Sequence, residues 1–531
     1  MEISPHDPRI VYYGSQYVHR TRDEGVTWET ISPDLTWFPP DKQQNSSGEP
    51  ITVDATGEEY YSVTYAIRES VKEPGVIWVG ANDGPFHVTR DNGKTWAKIT
   101  PPNQPPGCRV QNIEPSPHRA PSAYYAVLCY QLGDFHPYIW RTDDYGKKWT
   151  LLTPGDNGMP ADQPTRVVRE DPDREGLLYA GTEFGMFVSF DNGAHWQDFQ
   201  LNLPHVPVTD LRVHRKDLLM STQGRAFWIL DNLTPLHQAG ELVARGPAHL
   251  FKPREAVRFR YAGFGGVEST RSDPADPQYP PVGAAIDYWL SADGARASGA
   301  VTLDILDDNG VPVRSFSSEG AGESVQDPEQ PGMRAPEMTR VGTPTLARAV
   351  GVNRFYWDLS ASGPWAADAR QSGRNGPTIP PGNYIVRVSV AGWNSEVPLV
   401  VRPDPRATKD GVTTAVMREQ YAHNVRARDL VSEVNQLVAR VDGARKRLGN
   451  ASGAAADTLA RLNALRARMV TPPVRYSKPE LQAHIAYLYS MTNGADQKVG
   501  RDAVERFRQL RLELDERQKE AKALLPANRI M

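Results

Sequence analysis

The chain is poor in cysteine: Cys108 and Cys129 are the only two in 531 residues, which excludes a disulfide-framed mini-domain and a cysteine-rich zinc site. It has no apolar run approaching the ~20 residues of a bilayer-spanning helix. Met1 and Glu2 lead straight into a strand-like segment, without the basic start and apolar stretch of a signal peptide. With a formal charge of −4, nothing electrostatic argues for nucleic acid or an anionic membrane. Metal-ligand spacing, a nucleophile elbow and a phosphate-cradling glycine loop are all missing, so no cofactor is expected. Wholesale disorder is excluded as well, because 39% of the residues are hydrophobic and 12 are Trp. The length allows about three domains.

What the chain does have is one short motif in four copies: Thr21 to Trp28, Thr89 to Trp96, Thr142 to Trp149 and Ser189 to Trp196. Each fits Ser/Thr-x-Asp-x-Gly-x-x-Trp. The aspartates Asp23, Asp91, Asp144 and Asp191 and the hydroxyls suit hydrogen bonds to turn amides, and the glycine suits positive φ. Trp28, Trp96, Trp149 and Trp196 suit packing on the outgoing strand. These residues are therefore expected to be structural.

Upstream of each motif stand an apolar run, a polar turn and a second β-rich run, as in Ile77 to Gly80, Asn82 to Gly84 and Phe86 to Thr89. A further strand-like segment precedes them, as in Arg166 to Glu170. Alternation and short length argue for strands, and the unit is a four-stranded antiparallel propeller blade. A fifth unit, Leu218 to Leu230, has the strands but runs into Asp231 and Asn232 without a full motif. About five blades follow. The chain opens inside the first strand of the first blade, which predicts an open arc belonging to a larger propeller. Its exposed edges then invite upstream blades or self-association. Cys108 and Cys129 flank the first two strands of one blade, where they either pair in an oxidising compartment or stand unpaired.

The repeat ends near Thr234. Residues 249–406 read as alternating strands, with the hairpin turn Asp308-Asn309-Gly310, and suit a β-sandwich. Residues 408–531 are rich in Ala, Leu, Arg and Glu with helical patterning broken by Gly449, Pro472 and Gly494, and predict a small helical bundle. The fold class is mainly β: propeller blades over 1–236, then the sandwich, then the bundle.

Turns between the second and third strands share the face opposite the motif turns. That face gathers Asp83, Asp134 with His136, Glu183 and Arg225, and an insert between the first two blades adds Asp54, Glu58 and Glu59. A glycosidase needs two carboxylates about 5 to 9.5 Å apart. Asp134, Glu183 and Glu59 are the catalytic candidates, and no motif pairs them.

Residues 1 to about 236 resemble the bacterial proteins labelled BNR-repeat, or Asp-box, glycosyl hydrolases, whose propeller is similar to that of the sortilin ectodomain. The resemblance rests on the four motifs and on Tyr130 to Tyr138, Val167 to Pro172, Leu178 to Gly185 and Gly224 to Asp231. It implies an extracellular or periplasmic protein and a propeller facing a glycan, peptide or protein. On the face opposite the motif turns, Asp83, His136, Tyr138 and Arg225 are the expected ligand contacts. The strands beyond it resemble the immunoglobulin-like accessory domains of bacterial extracellular proteins. The arginine triad and Tyr/Glu pair of sialidases are not recognisable, so sialidase activity is not expected. Two functions remain: a non-catalytic binding module, and a glycoside hydrolase using paired carboxylates on the same face.

Overall fold

The computed structural model describes residues 1–43, 61–240, 246–260, 282–319, 324–325, 340–341, 344–369, 371–449 and 452–525. They fall into two compact units, Met1–Gly240 and Glu241–Met531. Glu59, with Asp54 and Glu58, lies outside the described residues.

The first unit is a succession of five antiparallel sheets, each with its strands in sequence order. Sheet 1 holds β1 (Glu2–Ile3), β2 (Val11–Gly14), β3 (Val18–Thr21) and β4 (Glu29–Thr30). Sheet 2 holds β5 (Thr64–Glu69), β6 (Ile77–Ala81), β7 (Phe86–Thr89) and β8 (Ala97–Lys98). In sheet 3 the strands are β9 (Arg109–Pro115), β10 (Ala123–Leu128), β11 (Tyr138–Thr142) and β12 (Thr150–Leu151). Sheet 4 contains β13 (Thr165–Glu170), β14 (Leu178–Thr182), β15 (Met186–Ser189) and β16 (Gln197–Asp198). Sheet 5 has only β17 (Val208–His214), β18 (Asp217–Thr222) and β19 (Phe227–Leu230), followed by α1 (Thr234–Gln238).

The sheets stack face to face. From sheet 4, Leu178 and Ala180 meet Tyr124, Ala126 and Ile139 of sheet 3, while Tyr179, Met186 and Val188 meet Leu211, Leu218 and Met220 of sheet 5. Both faces of the middle strands are thus covered, and every residue of β6, β10 and β14 is buried. This departs from the polar–apolar alternation expected of half-buried strands, and it explains why these segments read as continuous apolar runs. The first strands of all five sheets border one cavity of about 210 Å³, the arrangement of propeller blades. Its wall is polar: Arg68 donates to Glu2 across sheets 1 and 2 at 2.5 Å. Among the described residues, no strand of sheet 5 is hydrogen-bonded to sheet 1.

The four motif turns are built alike. In the second, Thr89 Oγ1 donates to Asp91 and accepts from the Gly93 amide at 2.9 Å, and Asp91 accepts from the Thr95 amide at 2.8 Å. Asn92 and Gly93 take φ of 64° and 92°, a left-handed pair that glycine eases at its second position. Each later tryptophan then reaches back to the preceding sheet. The indole N–H of Trp96 donates to the Ile31 carbonyl, that of Trp149 to Ile99 and that of Trp196 to Leu152. The motif therefore closes a turn and ties two sheets together. Asp191→Ala, which removes bonds to Ser189 and His195, should lower unfolding stability by about 1 kcal/mol, the modest size fitting an exposed turn. Urea unfolding checks this.

Cys108 and Cys129 form a disulfide. The β9–β10 register sets Arg109 opposite Leu128, so the next pair outward faces across the ladder. Closing a loop of sequence separation 21 is worth about 3 kcal/mol on a chain-entropy model. The Cys108→Ser/Cys129→Ser variant should melt measurably below wild type in differential scanning calorimetry.

The second unit begins with two sheets around one core. One has the order β20 (Ala248–Leu250), β22 (Ala284–Leu290), β27 (Gly351–Trp357). The other has the order β21 (Ala256–Arg258), β29 (Trp393–Pro403), β28 (Gly382–Val390), β23 (Thr302–Asp307), β24 (Pro312–Ser317). Ile286, Tyr288 and Trp357 from the first pack with Leu303, Ile305, Val386 and Val388 from the second. A short pair, β25 (Ser324–Val325) and β26 (Arg340–Val341), and two brief helices, α2 (Ala292–Arg296) and α3 (Pro405–Lys409), complete this part. Four longer helices follow: α4 (Thr414–Leu448), α5 (Ala454–Ala467), α6 (Leu481–Asn493) and α7 (Arg501–Leu524). Their apolar faces share a separate core that includes Val434, Leu437, Leu462, Leu465, Ile485, Leu510 and Leu514.

Candidate functional site

In an up-and-down sheet the second turn and the exit from the fourth strand lie at one end, and the third turn lies at the other. The motif turns are third turns. At the opposite end, connections of sheets 3, 4 and 5 enclose an open cleft of about 340 Å³, lined by Tyr130, Phe135, Pro164, Glu183, Phe184, His205 and Pro207. Tyr130 and Phe135 come from the β10–β11 connection, Glu183 and Phe184 from the β14–β15 turn, and His205 and Pro207 from the run into β17.

Phe135 and Phe184 are about half exposed, at 52% and 50%. Free energy would favour covering such rings. Glu183, in the lining, accepts from Arg166 Nε at 2.6 Å, with both side chains largely shielded; Arg166 itself lines the central cavity. The Arg166 guanidinium lies 5.9 Å from the centre of the Tyr130 ring, within cation–π range. The His205 ring and the Phe184 carbonyl are 3.2 Å apart.

Asp134 adjoins the cleft through Phe135 but is occupied by its own neighbours. It accepts from the His136 amide at 3.0 Å, the His136 ring at 2.8 Å and the Tyr138 hydroxyl at 2.7 Å. Burial pushes its carboxyl up, and these hydrogen bonds outweigh the burial, so it lies below the usual carboxylate range. Burial and the Asp134 carboxylate push the Tyr138 hydroxyl up to about 12. Asp134, His136 and Tyr138 thus form one cluster beside the cleft, and Glu183 is in its lining.

Asp83 and Arg225 are not among the lining residues. The Asp83 side chain is fully buried and accepts from the Trp37 and Phe38 amides at 2.9 and 3.1 Å, with burial raising its carboxyl. Arg225 is exposed in the β18–β19 turn, where its carbonyl accepts from the Trp228 indole. The sequence reading did not single out Tyr130, Phe135, Phe184 or His205. Their signal was an aromatic ring inside an otherwise polar turn.

Asp171, Asp173 and His237 also approach one another closely enough to suit a cation. Both oxygens of buried Asp171 are already engaged. One accepts from the Asp173 and Arg174 amides, and the other from the Tyr179 hydroxyl and the His237 ring. The group is thereby a clasp of α1 to sheet 4.

No protein-family model matches the chain, and no curated protein matches it. Among solved structures, it is similar to the GH74 xyloglucanase from Xanthomonas campestris with a TM-score of 0.34, 16% identity, and coverage of 74% of this chain and 51% of that one. An ancestral GH74 enzyme gives 0.32, 12%, 75% and 45%. YCF48 bound to D1 peptide gives 0.27, 17%, 41% and 58%. The chain therefore spans about half the length of these structures.

Proposed function

We propose that the first unit is a non-catalytic binding module that holds a peptide or glycan chain in the cleft between Phe135 and Phe184. The observation that carries this reading is the pair of half-exposed phenyl rings in one cleft whose lining also holds Glu183, shielded and ion-paired to Arg166. Aromatic faces stack on the apolar faces of sugar rings or on proline, and a few fixed polar groups then set orientation. A hydrolase instead needs one carboxyl held protonated near neutral pH. Asp134 is held in the charged form, and Glu183 is committed to Arg166. The hydrolase reading keeps one point in its favour, that Asp134 and Glu183 both belong to connections at the cleft.

The β20–β29 sheets serve in this reading as an immunoglobulin-like accessory sandwich and α4 to α7 as a separate helical part. The disulfide favours an oxidising compartment, so the protein is read as exported. Among the described residues no helix is long and apolar enough to cross a membrane. Arrays of neutral oligosaccharides and of proline- and aromatic-containing peptides test the proposal. Binding should fall roughly tenfold or more in Phe135→Ala/Phe184→Ala, the loss expected when well-packed aromatic contacts are removed, with the melting temperature retained. Unchanged binding in that variant would remove the cleft from consideration.

A further inference from the structure

The first strands of sheets 2 to 5 share an irregularity. Each carries one extra residue, a β-bulge, where its ladder to the second strand shifts register. The extra residues are Tyr65, Gln111, Arg166 and Thr209, opposite the steps Gly80–Ala81, Ala126–Val127, Gly181–Thr182 and Ser221–Thr222. These steps are equivalent, because Gly80, Ala126, Gly181 and Ser221 pair onward with Phe86, Ile139, Met186 and Phe227, each three residues before the end of its strand. All the bulge residues line the central cavity of about 210 Å³. A bulge bends its strand and re-aims a side chain. Repeated in register, it sets a ring of hydrogen-bonding groups around one space.

Part of that hydrogen-bonding capacity is unused. Arg166 donates only from Nε, to Glu183, so its terminal nitrogens have no protein acceptor among the described residues. Gln111 Oε1 is buried without a partner, and Gln111 Nε2 reaches the Tyr65 hydroxyl only at 3.5 Å. The Tyr65 ring is itself 45% exposed. Charge, by contrast, is balanced. Each arginine of the wall faces a carboxylate: Arg68 pairs with Glu2, Arg169 with Glu114 and Asp210, and Arg166 with Glu183. An anion would find no unpaired positive charge there. Hydroxyl groups fit better, since each can accept from Arg166 and donate to Gln111 Oε1 without bringing charge.

We propose, resting on the binding reading of the cleft, that this cavity is a subsite for one neutral sugar ring, the end residue of a glycan whose next residues lie in the cleft. Glycan is thereby chosen over peptide. The space suits a single ring, because drug-sized ligands occupy pockets of about 300 Å³ or more and this one has about 210 Å³. Tyr65 offers an aromatic face to such a ring, and Arg166 and Gln111 offer a donor and an acceptor to its hydroxyls. The two spaces are continuous in chemistry. Arg166 lines the cavity, and its partner Glu183 lines the cleft. Every bulge also falls within the first three residues of its strand, at the end where the cleft opens.

Saturation-transfer NMR on the full chain with glucose, galactose, mannose and N-acetylglucosamine, each up to about 50 mM, tests the subsite in the weak-affinity range. The expected result is binding of at least one of these sugars, weakened about fivefold or more in Gln111→Met and in Arg166→Met. Gln111→Met breaks no ion pair, so it keeps the test decisive where Arg166→Met loses stability. Phe135→Ala/Phe184→Ala should leave the single sugar bound as in wild type while weakening the matching oligosaccharide. No binding by any of the sugars overturns the proposal and leaves the cavity to solvent, as does binding that Gln111→Met does not change. Oligosaccharide binding that depends on Phe135 and Phe184 but not on Gln111 would retain the cleft and discard the subsite.

Discussion

Arg169→Met should cost the first unit about 3 to 5 kcal/mol of unfolding stability at neutral pH, the range for removing one partner from a buried charge network. Arg169 comes from β13 and joins three sheets. Its guanidinium donates to the Ile113 carbonyl and Glu114 of sheet 3 at 3.2 and 2.9 Å, and to the Leu211 carbonyl and Asp210 of sheet 5 at 2.7 and 2.6 Å. Methionine fills the space but satisfies none of these acceptors. Burial already pushes the Glu114 carboxyl up, against the pull of Arg169 and Arg68. Losing Arg169 raises it further. A carboxyl raised in the folded state favours folding when protonated, and that contribution is lost as pH rises through its folded-state value. The penalty of the variant should therefore shrink as pH is lowered through that value. Urea unfolding at several pH values measures it, and a pH-independent loss below about 1 kcal/mol would mean that the network is effectively solvated.

Trp196→Ala should be comparably severe, at about 3 to 5 kcal/mol, while Trp28→Ala should cost less than about 1 kcal/mol although both occupy the same motif position. Trp196 is 3% exposed, and its indole N–H is bound by Leu152 of sheet 3. Trp28 is 46% exposed, and no described sheet precedes it. Calorimetric melting of the two variants in parallel separates a tryptophan that clamps sheets from one that only decorates a turn. Equal losses would mean that its contribution is confined to its own turn.

Local chemistry was the most legible part of the chain. The motif turns followed from residue type and spacing because every bond in them spans at most four residues, as in Thr89 to Gly93. Loss of the motif after Leu230 likewise marked the sheet that has no described fourth strand. The disulfide was left open, since pairing depended on the β9–β10 register rather than on spacing. The cleft was harder still. Glu183 and the Asp134 segment were picked as carboxylates, yet the lining is mostly aromatic and is drawn from three sheets whose juxtaposition no local pattern encodes. Asp83 looked like a surface acid in a turn, but its carboxylate turns inward to hold the Trp37 and Phe38 amides.

The most direct test of binding without hydrolysis is reducing-end release from a panel of polysaccharides and aryl glycosides. The wild-type chain and the Asp134→Asn/Glu183→Gln variant are measured side by side. The account predicts no release by wild type above that of the variant, on any substrate, including those the arrays identify as ligands. Turnover by wild type that the double substitution abolishes would contradict it and make the cleft an active site.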